Sequence, residues 1–189
     1  MLSKKIKTKI LGQTCIEFSE INSTQKYIHS QIKENNIKNG TVVIADVQTD
    51  AIGTHGRKWY TNKNNIAFSL YMEINQNVKK LEGLTYKIAE ILVQIFQEKY
   101  NIILEIKKPN DLMYNGKKVG GILTETKLHN EEARYVVIGI GINIAKQEFN
   151  KEIKEIATSI EEAFNIQIDR TFIITEFCNR FEEEILKIK

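Results

Sequence analysis

Proline is almost missing from this chain. Pro109 is the sole example in 189 residues, and no Pro/Ser-rich linker or low-complexity tract divides the sequence. Arginine is scarce: Arg57, Arg134, Arg170 and Arg180 make up the set. That excludes an arginine-rich stripe of the kind that follows nucleic acid, so no nucleic-acid partner is expected. The lysines are spread along the chain and read as a solvated face, consistent with a formal net charge of only +3. The two cysteines, Cys15 and Cys178, share no CxxC or Cys/His spacing. A structural zinc site or disulfide framework is therefore not expected, and both read as buried thiols of a reducing cytosol. No apolar run approaches the ~20 residues of a membrane span. The basic start MLSKKIKTKI has no apolar stretch behind it and is not a signal peptide. A cytoplasmic protein without a membrane partner is expected.

What is present is regular structure almost from end to end. The length fits one domain, 1–189, able to bury a real core. Residues 24–34 read as a helix behind the N-cap candidates Asn22 and Ser23. Thr41–Gln48 and Asn65–Glu73 read as strands. Apolar residues from Leu81 to Phe96 recur at helical spacing, giving a helix over about 80–99. Ile102–Ile106, Val119–Leu128 and Tyr135–Ile144 read as further strands, the last two joined by the polar turn HNEEAR. Asn115-Gly116 is a hairpin-turn signal. Ile153–Phe164 and 170–187 read as helices. The fold class is α+β: a mixed, largely antiparallel sheet flanked by helices.

Three stretches carry the chemistry. Residues 49–64 form a long aperiodic loop with Gly53, Gly56, Arg57, Lys58 and Trp59. Such loops in compact domains are usually functional. Glycine lets backbone N–H groups approach an anion, arginine grips phosphate bidentately, and tryptophan stacks on rings. In KKPNDLMYNGKKVGGILTET (107–126), Asn110 and Asp111 leave a strand end as short polar arms suited to a ribose or Mg²⁺. The Asn115-Gly116 turn returns Lys118 towards them, where an ammonium can neutralise developing charge. Gly120 and Gly121 leave room against the strand. In VVIGIGINI, Gly139 and Gly141 interrupt an apolar run that ends in the polar Asn143. Read alone, each stretch also fits an ordinary loop, turn or bulge. Together they outline a site for an anionic, ring-bearing small molecule such as a nucleotide.

From about Ile16 to Phe181 the chain resembles the catalytic domain of biotin protein ligases. The resemblance rests on Ser23-Thr24-Gln25, Gln48, the loop residues Gly53, Gly56, Arg57 and Trp59, and the motifs KKPNDL, GKKVGGILTE and GIGIN, in family order and spacing. It implies a class II aminoacyl-tRNA synthetase/biotin synthetase-like fold. It also implies a ligase that uses ATP and Mg²⁺ to convert biotin into biotinyl-5′-adenylate. The biotinyl group then passes to a lysine of a biotin carboxyl carrier protein domain. Carried over, Ser23, Thr24, Gln25, Gln48, Gly53, Lys118 and Gly121 would bind biotin. Gly56, Arg57, Trp59, Asn110 and Asn143 would bind ATP or the adenylate. Lys118, Arg57 and Asp111 would be catalytic, with Asp111 also a candidate Mg²⁺ ligand.

The sequence departs from the family pattern at several points. Ala51, Ile52 and Thr54 stand where the loop has glycine and two arginines, which implies a looser hold on phosphate and adenylate. Gln25 replaces an asparagine, and Lys108 a tryptophan. The stretch before Ser23 is too short for a winged helix, since an independent domain needs about 40–50 residues. Neither an N-terminal DNA-binding domain nor a C-terminal β domain is expected. Lipoate and octanoate protein ligases of the same fold are the alternative reading, and a non-catalytic biotin or nucleotide sensor is another. Monomer and homodimer both remain open.

Overall fold

β-Branched and aromatic runs build the sheet, and helical periodicity builds what covers it. The computed structural model describes residues 6–188, so much of the basic amino-terminal segment lies outside it. In chain order the elements are β1 (Cys15–Ile21), α1 (Thr24–Lys33), β2 (Val42–Gln48), β3 (Ala51–Ile52), β4 (Lys58–Trp59), β5 (Ile66–Asn77), α2 (Leu84–Tyr100), β6 (Glu105–Lys107), β7 (Asp111–Tyr114), β8 (Lys117–His129), β9 (Glu132–Ile142), α3 (Ile160–Phe164) and α4 (Arg170–Leu186). Seven strands form one sheet in the order β1-β2-β5-β9-β8-β7-β6, and β3 and β4 form a separate hairpin. The β1–β2 pair is parallel and every other pair is antiparallel. The expected mixed, largely antiparallel α+β architecture is what forms. Among the described residues no helix is long and apolar enough to cross a membrane.

Side chains alternate across a strand, so the sheet has two distinct faces. One carries Phe68, Leu70, Met72, Ile138 and Ile142, and packs in a single core with α2 (Ile88, Leu92, Ile95) and α4 (Phe177, Phe181). Phe68 meets Phe177 edge-on at 5.6 Å, and Phe177 stacks on Phe181 at 5.3 Å. Burying each of these rings contributes about 1.5–3 kcal/mol. On the other face α1 covers only part of the sheet, through Ile28 against Val43, Tyr71 and Val137. The uncovered remainder of that face holds the site described below.

Several elements differ from the sequence reading. β1 carries no long apolar run and goes unread; it is an edge strand of half-buried and exposed residues, none of them fully buried. Its Cys15 is half-buried rather than buried, whereas Cys178 is fully buried. Burial raises both thiols, that of Cys15 to about 11. The 49–64 segment is not structureless: β3 and β4 pair Ala51 with Trp59 and Ile52 with Lys58. The second helix begins at Leu84, because Gly83 stands at φ +77° after a 3-10 turn over Val78–Leu81. Ile102 and Leu104 are buried core residues, but the strand itself is Glu105–Lys107.

The helix expected over Ile153–Phe164 shrinks to α3. At its middle the chain bonds to the sheet instead of to itself: Thr158 N–H donates to Lys118 O and Ile160 N–H to Asn143 O. The two strands expected around HNEEAR extend to His129 and Glu132, leaving Asn130 (φ +55°) and Glu131 as the turn. The Asn115-Gly116 turn forms with φ of +47° and +74°, as its residue types favour.

One carboxylate ties the amino-terminal segment to α4. Glu182, 5% exposed, accepts the backbone N–H groups of Lys9, Ile10 and Leu11 at 2.6, 2.8 and 2.7 Å. Removing it leaves three amides without an acceptor, one of them buried. Glu182→Ala should destabilise the fold by about 2–4 kcal/mol, read as a lower urea midpoint with unchanged slope. An unchanged midpoint would show that the clasp is not needed.

Candidate active site

A break in register aims the central lysine. Asp111 pairs with Gly121 and Leu112 with Gly120, but Met113 then pairs with Lys118, leaving Val119 as an extra residue in β8. Such a bulge reverses the in/out alternation beyond it. Val119 therefore turns into the core, and Lys118 comes to the same face as Gly121. There its Nζ donates to Asp111 Oδ1 at 2.5 Å and lies 5.6 Å from the centre of the Trp59 ring. The backbone of Lys118 also receives the strand-like segment around Ala157, through Lys118 N–H to Ile156 O at 2.8 Å and Thr158 N–H to Lys118 O at 3.0 Å.

Gly121, Gly139 and Gly141 point into this uncovered face, with Gly121 directly opposite Gly141 and Gly139 opposite Leu123. Their missing side chains make room for other side chains of the protein. A Cβ on Gly141 would lie 2.6 Å from the indole of Trp59, and one on Gly139 would overlap the Gln25 carbonyl oxygen. Gly120 faces the opposite way, towards Leu112 and Ile142 in the core. The expectation that Gly120 makes room for a ligand is therefore corrected: it allows close packing.

Two cavities meet here. The first, about 60 Å³, is lined among others by Ser23, Thr24, Gln48, Ser69, Asn110 and Gly121. Gln25, Gly53, Trp59 and Lys118 complete the set that matters. Ser23 caps α1, its Oγ accepting from Lys26 N–H at 3.3 Å, which leaves its own proton free to donate. Thr24 N–H and Oγ both reach Gln48 Oε1, at 2.8 and 3.0 Å. The second cavity, about 150 Å³, is more apolar, with Phe149, Ile153, Ile156 and Ala157 facing Arg57, Tyr60 and Asn143. Gly53, Thr54, Trp59 and Lys118 line both. Both volumes are small beside the ~300–1,000 Å³ of typical ligand pockets, because the indole and the lysine occupy the junction.

The predicted residues divide between the two cavities. Ser23, Thr24, Gln25, Gln48, Gly53, Lys118 and Gly121 line the first, and Arg57, Trp59 and Asn143 the second. Asn110, expected on the nucleotide side, lines the first instead. Its Nδ2 donates to Ile122 O at 2.9 Å, locking the β7–β8 junction. Gly56 lines neither: at φ +71° it closes the β3–β4 turn. Asp111 also lies outside both linings, behind Lys118. Arg57 is exposed and folded onto its own turn, its guanidinium donating to Thr54 O and Oγ1 at 3.3 Å. Thr54, which replaces a loop arginine, thus steers the remaining one. Asn143 donates to Thr158 O at 3.1 Å and is 5% exposed, so it also fastens the wall of the second cavity.

Ser69 and the apolar wall of the second cavity went unread. Ser69 had a signal, as a hydroxyl inside the buried run IAFSLYM. Nothing in the sequence marks Phe149 or Ile156 as lining a cavity. Among the described residues no group of three or more His, Cys, Asp or Glu side chains could hold a metal ion. The Asp111 carboxylate is taken up by Lys118.

The profile of the biotin/lipoate A/B protein ligase family matches residues 17–143, and the chain belongs to that family. It is 39% identical over 181 residues to the bifunctional ligase/repressor BirA of Bacillus subtilis (strain 168), covering 94% of this chain and 55% of that protein. The Escherichia coli (strain K12) protein of the same name is 27% identical over 169 residues, covering 89% and 52%. The chain thus spans about half the length of these curated relatives. In structure it superposes on the biotin protein ligase from Aquifex aeolicus, solved in complex with biotin and ATP. The TM-score is 0.76 and the identity 31%, covering 94% of this chain and 72% of that one.

Trp59 is the single tryptophan, so its fluorescence reports the junction directly. In Gly141→Ala the added methyl should displace the indole and shift its emission to longer wavelength, with far-ultraviolet dichroism unchanged. An unshifted spectrum would overturn the packing described.

Proposed function

We propose that this chain joins biotin to ATP, forming biotinyl-5′-adenylate and pyrophosphate, and then passes the biotinyl group to a lysine of a biotin carboxyl carrier domain. The observation that carries this reading is the junction at Lys118 and Trp59. A cavity of mixed polarity and a more apolar one open onto the same ammonium, where a carboxylate and a phosphate must be brought together against their mutual repulsion.

In the first step a biotin carboxylate oxygen attacks the α-phosphorus of ATP, and pyrophosphate departs. Ser23, Thr24, Gln25 and Gln48 hold the ureido ring in the first cavity. Gly53 and Gly121 line the same cavity, Gly121 leaving room for the Lys118 ammonium beside the ring system. Lys118 Nζ binds the carboxylate and stabilises the charge that develops during the attack. The indole of Trp59 and the apolar wall at Phe149, Ile153 and Ile156 flank the adenine. Asn143 stands at the back of that cavity, and Arg57 swings from Thr54 to the phosphates. Asp111 positions Lys118. Mg²⁺, with Asp111 the candidate side chain to help hold it beside Lys118, would screen the charge of the ATP phosphates. In the second step the lysine amine attacks the acyl carbon of the mixed anhydride and AMP leaves.

A lipoate-ligase reading competes, because the family profile spans both activities. The polar end of the first cavity favours biotin: a cyclic urea offers N–H and C=O groups to those donors and acceptors, and a dithiolane offers neither.

With biotin, MgATP and a biotin carboxyl carrier domain, intact-mass analysis should show the carrier gaining one biotinyl group. Excess lipoate should not compete. Lys118→Ala should lower adenylate formation about 10²–10³-fold, the usual loss when one charge-stabilising donor is removed. Biotin binding with no adenylate from the unaltered protein would favour the sensor instead.

A further inference from the structure

Glu125 lies on β8 beyond the first cavity, and none of the roles above uses it. Its Oε2 accepts Gln25 Nε2–H at 2.7 Å and contacts His29 Nε2 at 2.7 Å. Gln25 and His29 both belong to α1, one turn apart, so the carboxylate grips the helix end that enters the site. From Gln25 the contacts continue inward. Gln25 Oε1 is 3.3 Å from Ser69 Oγ, which lies 2.7 Å from Thr24 Oγ1. Thr24 then meets Gln48 Oε1. Gln25, Ser69 and Thr24 are 8%, 1% and 2% exposed.

The row has fewer protons than contacts. Two hydroxyls must serve three oxygen–oxygen contacts: Ser69 to Gln25, Ser69 to Thr24, and Thr24 to Gln48. Ionised glutamate accepts only, so Gln25 must turn its NH₂ to Glu125 and its carbonyl to Ser69. That buried carbonyl has Ser69 as its donor, and leaving it unpaired costs about 1–3 kcal/mol. Gln48 Oε1 already holds the Thr24 backbone N–H at 2.8 Å. With the Ser69 proton committed to Gln25, the Thr24 proton goes to Gln48 Oε1 or to Ser69 Oγ, and in neither case to the cavity. Thr24 Oγ1 then faces the cavity as an acceptor.

We propose that Glu125, braced by His29, is a positioning residue that sets the donor–acceptor direction of the Gln25–Ser69–Thr24 row. It thereby makes Thr24 an acceptor for a ring N–H of the cyclic urea. The ligand half of this inference rests on the ligase reading above; the direction of the row does not. The replacement of asparagine by Gln25 fits it, because the longer arm spans from Glu125 across Gly139 to Ser69. Glu125 would then also be a specificity residue, favouring a ring with N–H donors over a dithiolane.

Other titratable groups around Glu125 are Lys26 on α1, His55 in the β3–β4 turn and Tyr135 on β9. The hydrogen bond from His29, with that from Gln25, holds the Glu125 carboxyl below the usual glutamate range against the opposing effect of burial. A depressed carboxyl keeps its grip above the ordinary glutamate range and loses it as pH falls through the folded-state value.

The test compares the unaltered protein with Glu125→Gln, which keeps the shape but allows the row to reverse. The Gln25 side-chain amide resonance, assigned by its loss in Gln25→Met, should lie downfield in the unaltered protein, move as Glu125 titrates, and lose that shift in E125Q. The KM for biotin should rise about tenfold, the worth of one well-made hydrogen bond, with kcat at saturating biotin little changed. Lipoic acid should fail to compete in both proteins. An amide resonance indifferent to E125Q, or an unchanged KM beside a lost shift, overturns the proposal. If the unaltered protein binds no biotin yet the resonance behaves as described, the ligase reading fails and the direction of the row stands.

Discussion

Between β7 and β8 the pairing slips by one residue, and the site depends on that slip. With strict alternation Lys118 would point into the core beside Ile122, where an unpaired ammonium is costly to bury. Val119 takes the core position instead, and the lysine emerges next to Gly121. The same bulge sets Lys118 diagonally across from Asp111, close enough for the 2.5 Å contact that fixes it. The backbone of Lys118 is then free at the strand end to receive the Ala157 segment, which brings the wall of the second cavity into place. One inserted residue thus aims the cation, chooses its partner and anchors the wall of the second cavity.

Glycine has a different function here from the one its pattern first implies. Gly139 and Gly141 read as positions where a ligand approaches the strand, and they do lie in the right face. What fills the space above them is Gln25 and Trp59. A flat sheet face can admit a glutamine from a helix and an indole from a hairpin only where β carbons are missing. The hairpin itself has two residues per strand, a length that is marginal on its own. The seat over Gly141 therefore stabilises the hairpin as much as it shapes the cavity.

Much of this was legible in the sequence, for reasons that differ by residue. Ser23 as N-cap, the Asn115-Gly116 turn and the long apolar strands follow from local chemistry and formed where expected. The grouping of Ser23, Gln48 and Lys118 around one cavity was legible only through family resemblance, because nothing local links positions so far apart. The bulge at Val119 could not be read, since KKVGGIL alternates no differently from an unbroken strand. Nor could the sheet bonds at Thr158 and Ile160 that stop the helix expected from Ile153: they depend on tertiary partners at Lys118 and Asn143. Asn110 shows the same limit. Its residue type indicates a polar role, but its direction is set by Ile122 across the turn.

The two faces of the sheet finally show how stability and specificity are divided. The α2/α4 face is apolar and tolerant: Phe68, Phe177 and Phe181 need only fit. The α1 face buries Thr24, Gln25 and Ser69, groups that gain little over their hydration unless every partner is met. A wholly apolar contact there would hold α1 to the sheet at least as well. What the polar row adds is direction, because two hydroxyl protons shared among three contacts admit few arrangements and one fixed acceptor at the end selects among them. A buried row of this kind can distinguish a ring that donates hydrogen bonds from one that cannot. It does so only while the carboxylate that ends the row stays ionised and anchored to α1.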